Sequence, residues 1–267
     1  MSTKQKNKTK KPLILVTNDD GVDAKGIRML ADTARQFGRV IMVAPSTGQS
    51  GKSHAITFNT PLRLRRIFYD PYFEIYKTNG TPTDAVKLAQ RFLLRNEKID
   101  LVISGINHGS NTATSTLYSG TVAAAMEGCI NGLNAIAFSL CDYAHNCDFE
   151  AALLAAKKLI PMVLEKGLPP HTCLNVNIPN IPISEIKGFK ITRQANNYWD
   201  EIIDERTDPM GRSYYWMSGD MLRVDKSRDT DEWAVSHKYI SITPITTDLT
   251  AHNFINSFKE WKLKKDK

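Results

Sequence analysis

Four short runs, Leu13 to Val16, Val40 to Ala44, Leu101 to Ser104 and Ala135 to Leu140, constrain the fold of this chain more than any other feature. Each is apolar almost throughout and shows no alternation, which marks a strand covered on both faces. Helix-patterned segments lie between them. Ile27, Leu30, Ala31 and Ala34 share one helical face, and Gly38 ends that helix. Thr81-Pro82 supplies an N-cap and a first-turn proline for a helix carrying Val86, Leu88, Ala89, Phe92 and Leu93. An alanine-rich helix starts near Val122. Doubly covered strands alternating with helices predict an α/β fold, a Rossmann-like three-layer sandwich around a mainly parallel sheet. The β-prone runs from Ile56 to Tyr76 are expected to form a meander beside that sheet.

Ligands of such a sheet bind beyond the carboxyl ends of its strands, so the loops after the runs hold the chemistry. The first loop is Thr17-Asn-Asp-Asp-Gly21. Unpaired, Asp19 and Asp20 repel each other and raise one pKa, so a divalent cation is one natural partner; a solvated turn or helix N-cap is the other reading. The second loop, Pro45 to His54, is too long and too rich in small polar residues for a simple connector. The third runs from Gly105 through Asn107 and Asn111 to Ser119-Gly120-Thr121. Its last three residues offer N–H groups and the positive end of a helix dipole to an anion, or serve simply as a hydroxyl-rich N-cap.

Loops after parallel strands emerge on one edge of the sheet. Asp19, Asp20, a second-loop hydroxyl such as Ser50 and the Asn107 amide would therefore converge into an all-oxygen site. Oxygen donors suit Mg²⁺ or Mn²⁺, and also Ca²⁺, better than zinc. A site of this kind accepts a phosphate ester and activates water, which makes metal-assisted phosphoester hydrolysis the leading expectation. Asp19, Asp20 and Asn107 are its candidate catalytic residues, with no single general base assigned. His108 is expected to stand in solvent beside Asn107, and His54 to make a structural hydrogen bond.

Composition narrows the partners. The chain has 267 residues, 42% of them hydrophobic, enough to bury a large core. No stretch approaches the ~18 apolar residues of a membrane span, and a cytoplasmic location is the default expectation. Residues 1–11 carry five lysines and no acid, giving +5, and residues 259–267 carry five lysines against Glu260 and Asp266, giving +3. Most of the net charge of +7 thus sits in tails expected to be disordered, leaving a near-neutral body with no basic face for nucleic acid. Cys129, Cys141, Cys147 and Cys173 lack CxxC or zinc-ligand spacing and read as free thiols.

The strings Thr-Asn-Asp-Asp-Gly at 17–21, Val-Ala-Pro at 43–45, Gln-Ser-Gly at 49–51, Gly-Thr-Pro-Thr-Asp at 80–84, Ser-Gly-Ile-Asn at 104–107 and Tyr-Ser-Gly-Thr at 118–121 stand in order along the chain. Ala-Ala-Ala-Met-Glu-Gly at 123–128 and Ser-Ile-Thr-Pro at 241–244 follow. Over roughly residues 13–250 this set resembles the SurE family, the survival-protein nucleotidases. The resemblance implies a metal-dependent 5′-nucleotidase holding one divalent cation, Mg²⁺ or Mn²⁺, per subunit. It places the metal ligands on Asp19, Asp20, Ser50 and Asn107, and the choice of Ser50 among the loop hydroxyls rests on it. It also points to Asn111, Ser119, Gly120 and Thr121 as phosphate contacts. Nucleoside monophosphates are the implied substrates. Some relatives resemble 3′-nucleotidases and exopolyphosphatases, and a nucleotide-binding stress regulator with little turnover is the non-enzyme alternative.

The division expected along the chain is a basic tail at 1–11, a metal- and phosphate-binding core at 12–140, and a C-terminal region at 141–267 that completes the core. Phe149 to Leu164 reads as an amphipathic helix with Pro161 near its end, and Cys173 to Ile178 as a strand. Between Arg193 and Trp233 many aromatics flank the turn signal Asp208-Pro-Met-Gly211. These aromatics suit a core or a subunit interface, and the resemblance implies an exchanged arm forming a homodimer or homotetramer, with a last helix at Phe254 to Leu263. Other α/β classes fit less well. Asn18-Asp-Asp-Gly-Val is not the Gly-x-Gly-x-x-Gly of a nicotinamide enzyme, and Ser104-Gly105 stands where a receiver domain carries its phospho-accepting aspartate.

Overall fold

A computed structural model of the chain describes residues 11–144 and 146–261. Most of both lysine-rich tails lies outside those residues. The elements, in chain order, begin β1 (Leu13–Thr17), α1 (Lys25–Ala34), β2 (Arg39–Pro45), β3 (Leu64–Asp70), β4 (Phe73–Thr78) and α2 (Pro82–Leu88). They continue with β5 (Leu101–His108), α3 (Ser115–Tyr118), α4 (Gly120–Ile130), β6 (Ala135–Leu140), α5 (Glu150–Lys166) and β7 (Thr172–Ile178). Last come β8 (Gly188–Ile191), β9 (Tyr198–Thr207), β10 (Ser213–Leu222), α6 (Asp231–Ser236), β11 (Tyr239–Thr246) and α7 (His252–Lys259).

Nine strands form one sheet in the order β3-β4-β2-β1-β5-β6-β7-β11-β8. From β4 to β7 every neighbouring pair is parallel; β3 and β11 are antiparallel additions, and β8 runs parallel to β11. The expected α/β sandwich is therefore present. Alternate side chains of each central strand enter different layers. Ile14 and Val16 pack with Ile27 and Leu30 of α1 and with the alanines of α5, whereas Leu13 and Leu15 pack with Val86 of α2 and Val122 of α4. A truncation such as Leu15→Ala would cost about 2–5 kcal/mol, because it opens a cavity in the layer that α2 and α4 already fill.

Three details depart from the sequence expectation. The β3–β4 hairpin belongs to the main sheet: Phe73, Ile75 and Tyr76 bury both faces of β4, while β3 exposes Arg65 and Arg66 as a charged edge. The second helix ends at Leu88 and widens into a π-type turn over Ala89–Leu93. Helix α5 runs on to Lys166 with Pro161 inside it.

The region after residue 140 is less uniform. Strands β7, β11 and β8 extend the central sheet, so the core continues through them. Strands β9 and β10 form a separate hairpin joined by the expected turn, where the Asp208 carboxylate accepts hydrogen bonds from the Met210 and Arg212 N–H groups. Ile202, Ile203, Tyr215, Trp216 and Met217 of this arm are exposed. The four cysteines are free. Among the described residues no helix is long and apolar enough to cross a membrane.

Candidate active site

The sheet order fixes where the site opens. From β1 the chain moves outward to β2 and the β3–β4 hairpin, then returns to the opposite side of β1 as β5. A crevice forms beyond the carboxyl ends of β1 and β5, where successive strands leave in opposite directions. Asp19 and Asp20 follow β1. Asn107 and His108 end β5, a strand longer than expected because it bulges: its register against β6 shifts between Ser104 and Asn107. Gly105 makes the bulge feasible, with φ +125° and a position where any Cβ would sit 2.3 Å from the Phe138 carbonyl oxygen. Asn107 is thus held on a strand end and not on a free loop.

The acidic turn is tied down from several sides. The Asn18 amide donates to the Gly21 carbonyl at 2.9 Å and its oxygen accepts the Gly21 N–H at 3.3 Å. Asp19 is only 4% exposed and accepts a hydrogen bond from the Thr121 hydroxyl. Gly120 is required at the start of α4, since a Cβ there would meet Asp19 Cβ at 2.8 Å. Burial pushes the Asp19 carboxyl up to about 6; the Thr121 hydroxyl opposes that rise and the charge of Asp20 adds to it. Burial also raises Asp20, whose carboxylate accepts the His108 N–H at 3.2 Å. Asn107 donates from its amide nitrogen to the carbonyls of His108 (3.1 Å) and Gly109 (2.8 Å). Its Oδ1 therefore faces away from those anchors and has no donor among the described residues.

These features fit a hard divalent cation. Two carboxylates carry an unfavourable buried charge, an amide oxygen stands unused, and the Ser50 hydroxyl lines the same cavity. Among the described residues no group of three His, Cys, Asp or Glu side chains is placed to hold a metal, so such a site depends on neutral oxygens. The Ser50 loop is anchored by Gln49 N–H on the Asp19 carbonyl (2.7 Å) and by Ser53 on the carbonyls of Tyr118 and Leu117.

A cavity of about 360 Å³ opens beside Asp19 and Asn107 and is also lined by Asn111, Tyr118, Ser119 and Trp199. The four sequence candidates for phosphate contact occupy different situations around it. Ser119 caps α4 by accepting the Val122 N–H at 3.1 Å, which leaves its hydroxyl proton for a ligand. Gly120 and Thr121 form the first turn of that helix, whose N–H groups have no intrahelical acceptor. The Thr121 side chain is fully buried on Asp19, outside the cavity wall. Asn111 donates its amide to Ser139 Oγ and its backbone N–H to Asn177 Oδ1, both at 2.8 Å.

Several supporting residues escaped the sequence reading. Asn175, Asn177 and Asp231 are fully buried and hold the 111–116 segment from the C-terminal half. The Asp231 carboxylate accepts the Ala113 and Ala195 N–H groups, each at 2.9 Å, and burial raises its pKa against those bonds. His54 makes the structural hydrogen bond expected of it, 3.1 Å to Glu127, while Lys87 Nζ lies 2.7 Å from the same carboxylate. His108 is half-buried, its ring edge-on to Phe149 and its Nδ1 3.5 Å from Cys147 Sγ, so it is not simply solvated.

The survival protein SurE family matches residues 14–201. The chain belongs to the SurE family. Its sequence is 48% identical to the 5′-nucleotidase SurE of Chlorobium phaeobacteroides over 256 residues, covering 96% of this chain and 98% of that one. It is equally similar, at 48% over 259 residues, to the 5′-nucleotidase SurE of Chlorobium limicola, covering 97% and 100%. The crystal structure of the SurE protein from Aquifex aeolicus superposes with a TM-score of 0.82 at 40% identity, covering 94% of this chain and all of that one. The SurE architecture is therefore shared across almost the whole length.

Proposed function

We propose that this SurE family member is a 5′-nucleotidase that hydrolyses nucleoside 5′-monophosphates to nucleoside and phosphate with the help of one divalent cation, Mg²⁺ or Mn²⁺. The observation that carries this reading is the meeting, at one cavity, of the buried Asp19 carboxylate, whose neighbour Asp20 adds to its unfavourable charge, with the N-terminus of α4. A cation and a phosphate ester are complementary to those two halves. The names of the relatives supply the nucleotide as substrate class.

Asp19, Asp20, Asn107 and Ser50 would hold the cation. When bound, it polarises the phosphoryl oxygens and lowers the pKa of water. The remaining work falls to the chain itself. Ser119 and the first-turn N–H groups of Gly120 and Thr121 receive the phosphate oxygens, and the dipole of the eleven-residue α4 favours their charge. Asn111, braced by Ser139 and Asn177, orients the ester with the free proton of its amide. Thr121 fixes the rotamer of Asp19. The exposed apolar face of the β9–β10 arm supports a homodimer or homotetramer, which light scattering after size-exclusion chromatography would measure.

The test is phosphate release from nucleoside 5′- and 3′-monophosphates, sugar phosphates and polyphosphate, with Mg²⁺, with Mn²⁺ and after chelation. Metal-dependent release fastest with the 5′-monophosphates is expected. No release under any metal condition from folded protein would replace the enzyme by a nucleotide binder.

A further inference from the structure

Tyr118 and Trp199 each line two cavities. One holds Asp19, Asn107 and Ser119; the other, of about 510 Å³, is an open cavity lined also by Glu201, Met217, Ser218 and Gly219 of the arm. The two spaces therefore adjoin across a pair of aromatic side chains. Trp199 is held in place there, its indole N–H donating to Ser115 Oγ at 3.1 Å. Along β9, Trp199 and Glu201 are two residues apart and point to the same face. Directly opposite Glu201 in the hairpin register stands Gly219. Opposed residues of an antiparallel pair share a face, so the missing side chain at Gly219 leaves the Glu201 carboxylate uncovered beside the indole. Gly219 is held to that identity, with φ +149° and a position where a Cβ would lie 2.2 Å from the Asp200 carbonyl oxygen.

We propose that this second cavity is the nucleobase subsite: the base stacks on Trp199 and Tyr118, and Glu201 accepts hydrogen bonds from a base that carries an exocyclic amino group. The inference rests on the phosphatase reading above for its phosphate end. An aromatic platform recognises any base through its π-face, and the carboxylate, an acceptor with no donor, then discriminates among them. Guanine presents an N1–H and an adjacent amino group to a carboxylate, adenine and cytosine present an amino group, and uracil presents a carbonyl in that place. The order of preference expected is guanine first, adenine and cytosine next, uracil last.

The experiment is titration calorimetry of phosphate-free guanosine and uridine into the full chain, with Trp199→Ala, Trp199→Phe and Glu201→Gln beside the wild type. Guanosine is expected to bind more tightly than uridine. Trp199→Ala should weaken guanosine by about tenfold or more, the size of one lost base–aromatic stack, while Trp199→Phe retains most of the affinity. Glu201→Gln, a change at an exposed position, should narrow the gap between guanosine and uridine. The same variants are read kinetically as the ratio of kcat/KM for guanosine 5′-monophosphate to that for ribose 5-phosphate, which Trp199→Ala should collapse toward one. An equal loss on both phosphates would overturn the proposal, because Trp199 would then act only through Ser115 on the phosphate-binding segment. Undiminished guanosine affinity in Trp199→Ala would overturn it too. Nucleoside binding of the expected pattern without any phosphate release would leave the subsite standing and defeat the phosphatase reading instead.

Discussion

Asp19, on the turn after β1, and Glu127, on α4, are both buried carboxylates, 4% and 3% exposed, yet their titration is displaced in opposite directions. Burial by itself would raise both. At Glu127 hydrogen bonds from His54, Lys87 and Asn131 outweigh it and hold the carboxyl at about 2. At Asp19 burial outweighs the Thr121 hydroxyl and the backbone hydrogen bonds that oppose it, and the adjacent Asp20 compounds it, leaving the carboxyl at about 6. Glu127 belongs to a finished structural ion pair that pins the second loop and α2 to α4. Asp19 is electrostatically incomplete, and in the function proposed above a cation supplies the missing partner. A buried charge thus marks function where its compensation is absent, and structure where the chain supplies it.

The largest effect expected from this contrast follows Asp19→Asn. Divalent-dependent phosphate release should fall by more than the ~10–100-fold that an outer partner of a metal site costs. The metal-free variant should nonetheless melt at or above the wild-type temperature at neutral pH, because a buried charge has been removed. Glu127→Ala should do the reverse to stability. It strands Lys87 and His54, and since Lys87 is about half exposed the cost is discounted to about 1–3 kcal/mol in urea unfolding.

The pH dependence separates the two carboxylates further. In metal-free protein, folded Asp19 holds a proton up to about pH 6 that the unfolded chain, with its ordinary value of 3.8, has already released. Stability therefore falls as pH rises from about 4 to 6, and saturating Mg²⁺ or Mn²⁺ should offset that fall. Glu127 behaves oppositely: its contribution is complete above its ordinary 4.5 and is lost as pH drops toward about 2. Urea unfolding of the wild type, Asp19→Asn and Glu127→Ala across this range reads both slopes as differences. The smallest effect belongs to Thr121→Val, which removes the hydroxyl from Asp19. Metal affinity should weaken by about tenfold with the fold retained, measured by titration with Mn²⁺.

The sequence made the acidic turn and Asn107 legible because unbroken apolar runs predict parallel strands, and parallel strands deliver their loops to one edge. It made the supports of the site far less legible. Asn175 and Asn177 alternate with apolar residues along β7, a pattern that suggests a solvent-facing side, yet both are fully buried against Asn111. Asp231 looks like an ordinary first-turn helix residue until Ala113, more than a hundred positions earlier, is found on its carboxylate. His54, Lys87 and Glu127 are likewise joined only by the fold. The bulge that carries β5 to His108 depends on the close approach of Gly105 to Phe138, which no local pattern announces.

The most direct measurement is calorimetric titration of Mn²⁺ into chelated wild-type protein and into Asp19→Asn at neutral pH. One site per chain is expected in the wild type and no measurable binding in the variant, while both remain folded by circular dichroism. Equal affinity in the two proteins would mean that the buried pair after β1 is not where a cation sits, and the comparison with Glu127 would lose its functional meaning.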